Sequence, residues 1–247
     1  KIGSTASVSH LKIDNSHFDN NGQGWYSDKN AASGSDITDL VITNTTFNGN
    51  SIKGFYTEKL SRAVFDHVTV DGSGVRPDYQ YNAGFDINLK YGAYEDITII
   101  NSVFIDSGLN GTGTGKGLVV MARGYEGDGS AYTASPAALE GLVIENVTIS
   151  EGGSVGLLVT NVTGLALDGN DIEGAVVLEG TAGDDALVGT DGNDVIIGGA
   201  GSDVIEGGDG DDLIWGDGPV PRDALDKYGN DVIRPGAGAN VVVLGTS

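Results

Sequence analysis

A unit of nine residues repeats along the C-terminal quarter of the chain. Glycine holds its fourth place in all six copies, aspartate holds its sixth place in five, and an apolar residue holds its eighth place in every copy. The copies are residues 180–188, 189–197, 198–206, 207–215, an interrupted copy that opens at Gly216 and resumes at 229–234, and a degenerate copy at 235–243. So short a period is typical of a solenoid, in which each copy is stable only when stacked on its neighbours.

Each place in the unit has a physical role. Glycine permits tight turns with positive φ and close approach of stacked backbones. Aspartate and the turn carbonyls offer the hard oxygen ligands that calcium prefers. The apolar residue lies on a short strand and points inward, so two units should make one turn of a flat parallel roll, with each unit stacked on the unit two places later. A disordered linker rich in glycine and aspartate does not explain the phased apolar residue, so the unit predicts a calcium-binding roll.

The unit resembles the RTX (hemolysin-type) calcium-binding repeat. That resemblance implies calcium ions held between stacked turns by carboxylates and backbone carbonyls. For a first site it implies Asp185 and Asp203 with the carbonyls of Gly183, Gly198 and Ala200. For a second it implies Asp194 and Asp212 with the carbonyls of Gly192, Gly207 and Asp209. A third site would pair Asp203 with Asp231 across the interrupted copy, and a weak fourth would pair Asp212 with the neutral Asn240.

The chain is strongly acidic, with a formal net charge of -22 at pH 7. This charge argues against nucleic acid and anionic membranes as partners, and no segment is long and apolar enough to predict membrane insertion. There is no cysteine, so we expect calcium rather than disulfides to stabilise the fold outside the cell. Because the sequence opens at Lys1 without a methionine or signal sequence, we expect it to be part of a longer chain.

Segments with alternating apolar residues also recur through the first 180 residues, and each is followed by a polar corner and a second short strand. Four asparagines share one corner column, where we expect side chains hydrogen-bonded along the stack: Asn15, Asn44, Asn101 and Asn146. The pattern predicts an all-β fold, a right-handed parallel β-helix over 1–179. This β-helix should continue, as a single rod, into a calcium-binding parallel β-roll over 180–247 with an insertion at 217–228.

The second strand of each coil opens on a glycine, and its outward side gathers polar and basic residues. The residue after glycine should point inward and the next outward, which places Tyr26, Tyr56 and Asp86 in one outward column. A basic stripe is expected where these strands end: Lys29, Lys59, Lys90 and Arg123. Two long loops, 71–83 with Arg76 and 124–138, flank this face, as binding loops often do. The alternative is an ordinary solvated face.

The whole arrangement resembles the secreted mannuronan C5-epimerases, which join a β-helix to RTX modules, and β-helix polysaccharide lyases. The epimerase motif is Tyr-Gly-Phe-Asp-Pro-His, and its nearest counterpart is residues 81–88, Tyr-Asn-Ala-Gly-Phe-Asp-Ile-Asn. Asp86 matches, whereas Asn88 stands where the family has its histidine and Met121 where it has a second aspartate.

The resemblance implies a protein of bacterial type I secretion that binds or modifies an anionic polysaccharide outside the cell. Of the catalytic candidates, Asp86 is carried over from the resemblance, while Tyr56 and Arg123 follow from the residue types of the outward face. The face and its flanking loop also give the candidate substrate contacts: Lys29, Lys59, Lys90, Tyr26 and Arg76. The competing interpretation is a non-catalytic structural or adhesive segment of a larger surface protein.

Overall fold

The chain folds as an all-β parallel solenoid, as predicted. A computed structural model describes residues 1–79, 81–109, 115–124, 132, 135–150, 155–218 and 229–244. The described residues form 23 strands and no helix. Every strand pairing recorded among them is parallel, as expected when each coil stacks on the one before it. Nothing within the described residues meets the length and hydropathy of a membrane-spanning helix.

The strands are short, and most are three to nine residues long. In chain order they are β1 (Val8–Ser9), β2 (Lys12–Asp14), β3 (Gln23–Ser27), β4 (Ile37–Thr38), β5 (Val41–Thr46), β6 (Lys53–Thr57), β7 (Ala63–Asp71), β8 (Ala83–Leu89), β9 (Gly92–Ile100), β10 (Val103–Ile105), β11 (Lys116–Ala122), β12 (Ala137–Glu145), β13 (Thr148–Ser150), β14 (Val155–Thr160), β15 (Val162–Asp168), β16 (Asp171–Ile172), β17 (Ala175–Glu179), β18 (Ala186–Val188), β19 (Asp194–Gly199), β20 (Val204–Glu206), β21 (Leu213–Asp217), β22 (Val232–Arg234) and β23 (Val241–Val243).

Two nine-stranded sheets form most of the wall. The first sheet runs β3-β6-β8-β11-β14-β17-β19-β21-β23, and the second contains β2, β5, β7, β9, β10, β12, β13, β15 and β16. A two-stranded sheet, β1-β4, and a three-stranded sheet, β18-β20-β22, complete the described pairings. The first sheet crosses residue 180 without a break, because β17 of the β-helix pairs directly with β19 of the roll. The rod therefore has one continuous hydrogen-bonded wall.

The interior is a ladder of stacked apolar side chains. The residues predicted to point inward after each glycine lie in register along the first sheet: Trp25, Phe55, Phe85, Leu118 and Leu157. The rings of Phe55 and Phe85 stack with their centroids 4.4 Å apart. Phe55, Phe85, Leu118 and Leu157 are all fully buried. Period-two alternation in the sequence therefore predicted which side chains form the core.

Corners between the strands of the second sheet adopt left-handed backbone conformations. The predicted asparagine column lies at one corner, where Asn15, Asn44, Asn101 and Asn146 have φ between 48° and 52°. Asparagine tolerates this region better than most residues with a side chain. Two of the expected bonds along the stack are present, and each runs from an asparagine Nδ2 to a carboxylate of a neighbouring coil. Asn44 bonds Asp14, and Asn101 bonds Asp66 at 2.9 Å.

Replacing Asn101 tests what this column contributes. We expect Asn101→Ala to lower the free energy of unfolding by about 1–2 kcal/mol, because alanine pays the steric cost of the left-handed region. Asn101→Gly also loses the bond to Asp66 but relieves the backbone, so it should lose less. Chemical denaturation of both variants measures the difference. A glycine variant less stable than the alanine variant would show that backbone conformation does not select asparagine here.

Candidate functional site

Nonapeptide units stack as predicted, each on the unit two places later. Leu187 pairs with Ile205 in one wall of the roll, and Ile196 pairs with Ile214 in the other. These eighth-place residues point inward and are at most 3% exposed. The short strands thus bring the polar turns of alternate units into vertical stacks.

Sixth-place aspartates line these stacks, and the four in the uninterrupted copies are buried. The backbone N–H of Asp185 donates to Asp203 Oδ1 at 2.9 Å, and that of Asp194 donates to Asp212 Oδ1 at 3.0 Å. Asp203 N–H donates in the same way to Asp231 Oδ1 at 3.0 Å, so the interruption at residues 219–228 does not break the third stack. The fourth stack has the amide oxygen of Asn240 instead.

The second carboxylate oxygen, Oδ2, has a hydrogen-bond donor in some of the sixth-place aspartates and lacks one in others. Thr181 donates to Asp185 Oδ2 from its backbone N–H at 2.6 Å, and Thr190 does the same for Asp194. The third and fourth copies have glycine where these threonines stand. Correspondingly, Asp203 Oδ2 and Asp212 Oδ2 are buried and have no hydrogen-bond donor among the described residues. A buried carboxylate oxygen without a donor is costly unless a cation approaches it.

Backbone carbonyls crowd the same places. A Cβ on Gly198 would collide with Asp203 Oδ2 and with the carbonyl oxygen of Gly216, and one on Gly207 would collide with Asp212 Oδ2. The carbonyl oxygens of Gly198 and Gly207 themselves reach the first glycines of the units two places earlier, beside Asp185 Oδ2 and Asp194 Oδ2. Glycine is therefore required at the first place of the first four copies, since any side chain there would fill the gap where oxygens converge.

Electrostatics also fit a cation. Burial, and after it the charges of the neighbouring Asp185 and Asp231 carboxylates, raise the pKa of Asp203 to about 6. Burial likewise raises the pKa of Asp185 and of Asp194. The described residues contain no group of three or more His, Cys, Asp or Glu side chains suited to a metal.

A groove of about 480 Å³ lies on the outer face of the first sheet. Among the described residues, its lining includes four of the chain's 13 basic residues and five of its 9 tyrosines, but a single acidic residue, Asp86. The basic residues are Lys53, Lys90, Lys116 and Arg123, and the tyrosines are Tyr26, Tyr56, Tyr79, Tyr81 and Tyr132. The three catalytic candidates Asp86, Tyr56 and Arg123 are thus brought into one groove, and their roles stay predictions.

Asp86 forms the centre of the groove. Lys53 Nζ makes an ion pair with Asp86 Oδ2, and both side chains are nearly buried. Lys53 Nζ also lies 4.3 Å from the centroid of the Tyr56 ring. Asp86 Oδ1 and Asn82 Oδ1 are buried acceptors without a donor among the residues that the structure describes. The groove thus offers cations and open acceptors side by side.

Glu58 supports the groove from beneath. Its Oε1 accepts hydrogen bonds from Tyr56 Oη at 2.6 Å and from Lys90 Nζ at 2.5 Å. Burial, together with the Glu58 carboxylate, raises the pKa of Tyr56 well above its usual range. Tyr56 is therefore a neutral hydroxyl at ordinary pH. Arg123 is held separately, through Nε to Asn88 Oδ1 at 2.9 Å.

The predicted basic stripe does not exist. Lys59 is fully buried, and its Nζ donates to the carbonyl oxygens of Gly3 at 2.9 Å and Ala6 at 2.6 Å. Lys29 Nζ bonds the hydroxyl of buried Tyr94 at 2.7 Å and lies outside the groove. Lys29 and Lys59 stand three residues after the outward tyrosine of their strand. In the next two strands the outward residues at that place are Asp86 and Val119, and Lys90 and Arg123 stand four residues after them. A difference of one residue moves a side chain to the other face of a sheet.

Two more candidates have different outcomes. Arg76 is exposed, pairs with Asp78 at 2.7 Å and does not line the groove, so its predicted contact with substrate was misplaced. Tyr26 does line the groove, stacked on Tyr56 with ring centroids 5.4 Å apart. Of the loop 124–138, Tyr132 lines the groove, while Tyr125, Glu126 and Asp128 lie outside the described residues.

Sequence reasoning missed Lys53 and Lys116, which directly precede the glycines of their strands. Gly54 itself faces the interior, since a Cβ there would lie 2.8 Å from the Gly84 carbonyl oxygen and 2.9 Å from Val70 Cγ1. Gly54 and Phe55 therefore both point inward, and Lys53 returns to the outer face. Burial lowers the pKa of Lys116, the other lysine at this place. A basic residue before the glycine was the available signal.

Lys59 gives a test of this correction. We expect Lys59→Met to lower the free energy of unfolding by about 1–3 kcal/mol, because buried oxygens lose their donor. Ligand binding in the groove should not change. Lys12→Met, at an exposed position, is the matched control. Normal stability together with impaired binding would restore the original placement of Lys59 on the surface.

Four copies of the RTX calcium-binding nonapeptide repeat match residues 179–214. No curated protein and no solved structure matches the chain. The repeat match agrees with the geometry of the stacks, so the C-terminal part is a calcium-binding β-roll and calcium is its cofactor. None of these comparisons connects the chain with mannuronan C5-epimerases, and that resemblance stays a hypothesis.

Proposed function

We propose that this protein binds an acidic polysaccharide in the groove of the first sheet. The observation that carries the proposal is the concentration of Lys53, Lys90, Lys116 and Arg123 in one groove of a chain of net charge -22. Lys53 and Lys90 are paired with Asp86 and Glu58, and Lys116 and Arg123 add two further positive charges. A polyanion approaching such a molecule is repelled almost everywhere else. Carboxylates are natural partners for these cations.

Hydrogen-bond acceptors without donors in the groove further restrict the class of ligand. Asn82 Oδ1 and Asp86 Oδ1 are buried and lack donors among the described residues, so a bound ligand gains by donating to them. Sugar hydroxyls are such donors, whereas a simple inorganic anion has none. Tyr26 and Tyr56 add a stacked aromatic surface on which the C–H face of a sugar ring can lie. An acidic sugar satisfies all three features.

The dimensions favour a polymer over a single sugar. The lining extends from Gln23 on β3 to Leu158 on β14 and crosses five adjacent strands. Four strand spacings amount to roughly 19 Å. A chain lying along the rod would cross these strands in turn, with cations at both ends of the strands, Lys53 and Lys116 on one side and Lys90 and Arg123 on the other.

Turnover as an epimerase or lyase is the finer form of the proposal, and Asp86 Oδ1 favours it. In this scheme Asp86 takes the C5 proton of a uronate while Lys116 and Arg123 neutralise its carboxylate. Tyr56, neutral and bonded to Glu58, would supply a proton rather than accept one. Epimerisation returns a proton to the opposite face of C5, whereas elimination breaks the C4–O4 bond.

Purified polymers of mannuronate, guluronate and galacturonate test the proposal. Binding is measured by calorimetry in calcium at low salt, C5 exchange by proton NMR, and elimination by the ultraviolet absorbance of unsaturated ends. Binding with turnover supports an enzyme, and binding without turnover supports an adhesive module. Absence of binding to every polymer contradicts the proposal and leaves a structural role.

We also propose the ligands of the calcium ions. The first two sites would use the carboxylates and carbonyls implied by the repeat, with Asp203 central because it bonds the units before and after it. The third stack, interrupted in sequence, keeps Asp203 and Asp231 and lies beside Asp217, whose Oδ1 is buried without a donor among the described residues. We therefore expect the third site to bind calcium as well as the first two. The millimolar calcium outside cells suits such sites, which supports export of the protein.

Asp203→Asn should weaken calcium binding more than any other single substitution in the roll. The amide keeps the size of the side chain but removes the charge that faces two stacks. We expect calorimetry to show at least one calcium ion fewer per chain. Asp191→Asn, at an exposed turn position, is the matched control and should bind like the wild type. Equal stoichiometry in both variants would remove Asp203 from the ligand set.

A further inference from the structure

The outer face of the first sheet changes character along the groove. One column in register reads Tyr56, Asp86, Val119 and Leu158 on successive strands. Val119 and Leu158 pack with Ala83 in an apolar cluster that is separate from the solenoid core, and Met121, Val155 and Val177 border it. Val119, Met121 and Leu158 also line the groove. The groove therefore has a polar half and an aliphatic half.

The aliphatic half is separate from the solenoid core, and its Val119 and Leu158 are 4% and 8% exposed at the groove. The inner side of the same strands is already filled by Leu118 and Leu157, both fully buried. A sugar hydroxyl pressed against Val119 or Leu158 would lose water and find no hydrogen-bond partner. A methyl group placed there would gain from leaving water.

Cations stand on the same strand as the aliphatic side chains. Lys116 begins β11 and Arg123 follows its end, with Val119 and Met121 between them. A purely apolar ligand does not need these charges, and a fully hydroxylated polyuronate does not need the aliphatic wall. An acidic sugar whose hydroxyls carry short acyl esters uses both.

We propose that the groove selects polyuronates bearing O-acetyl groups, with carboxylates at Lys116 and Arg123 and acetyl methyls against Val119, Met121 and Leu158. This rests on the proposed binding of an acidic polysaccharide. Lys53 and Asp86 hold the unsubstituted, hydroxyl-bearing part of the chain in the polar half.

The experiment compares one polyuronate before and after chemical O-acetylation, with calorimetry at low salt and fixed calcium. We expect the acetylated polymer to bind about fourfold more tightly for each methyl buried, the factor that corresponds to about 0.8 kcal/mol per carbon. Equal or weaker binding of the acetylated polymer overturns the inference while leaving polysaccharide binding in place. If neither polymer binds, the proposed function itself fails.

Substitutions in the groove test which side chains cause the preference for the acetylated polymer. Met121→Gln and Leu158→Asn should each reduce the ratio of the two affinities towards one. Val177→Thr is the matched control, because Val177 packs on the same cluster but does not line the groove, and it should keep the ratio. If Val177→Thr were the only variant to bring the affinity ratio to one, the preference would arise outside the groove and the proposed acetyl contacts would be overturned. Far-ultraviolet circular dichroism confirms that each variant is folded before binding is compared.

Discussion

Removal of calcium is expected to unfold the roll while the β-helix keeps its strands. The roll, from residue 180 onward, has thirteen acidic and three basic residues. Its core contains a single inward apolar residue per unit, so little burial opposes the repulsion between carboxylates. Asp203 and Asp212 would each keep a buried oxygen without a donor among the described residues. Calcium stabilises the folded roll in proportion to the logarithm of its concentration above the dissociation constant.

The two tryptophans of the chain make this result measurable in each part separately. Trp25 stacks on Phe55 in the β-helix, and Trp215 lies on β21 in the roll. Trp25→Phe leaves a reporter in the roll, and Trp215→Phe leaves one in the β-helix. During titration with chelator, the fluorescence of Trp215 should change first, and calcium should restore it. Simultaneous change of both reporters, or of neither, would contradict independent unfolding of the roll.

A second large effect is expected in the groove. The double variant Lys116→Ala/Arg123→Ala should bind acidic polysaccharide roughly a hundredfold more weakly than the wild type. A hydrogen bond to a charged group contributes about 1.5–3 kcal/mol, which corresponds to about tenfold or more for each lost contact. Wild-type binding should also weaken as salt rises, because charges in an open groove are screened beyond about 8 Å at physiological ionic strength.

Lys12→Ala/Arg234→Ala is the control for that experiment. It removes the same two charges from exposed positions away from the groove lining. If both double variants lose affinity equally, net charge rather than the groove explains binding. If the groove variant keeps its affinity and its salt dependence, Lys116 and Arg123 are not the carboxylate contacts.

The repeat periods were sufficient to predict the solenoid. Phe55 and Phe85 fall in the core because alternation assigns them there, and Leu187 and Ile196 do so because the nine-residue unit fixes their place. Stacking of unit on unit also followed from the sequence, since it buries the one phased apolar residue of each unit. The fold class therefore follows from the period-two alternation and the nine-residue unit, which persist although individual residues differ between copies.

Side-chain direction near the groove was predictable only in part. Gly54 and Phe55 both face the interior, which breaks the alternation. Alternation counted from the glycine onward therefore does not include Lys53, which precedes it. Lys59 was misplaced because similar strand-end lysines stand at different distances from their outward tyrosine or aspartate. Asp86 and Tyr56 were placed correctly because they lie within the regular part of the strand. Errors thus concentrate where strands begin and end.

The unbroken pairing of β17 with β19 has a consequence for solubility. When the roll unfolds, β17 loses that partner and its N–H and C=O groups form an open edge. Such an edge is a template for strands of other molecules and a common start of aggregation. In the folded molecule β19 of the roll covers this edge. We therefore expect calcium to protect the β-helix from self-association as well as to hold the roll together.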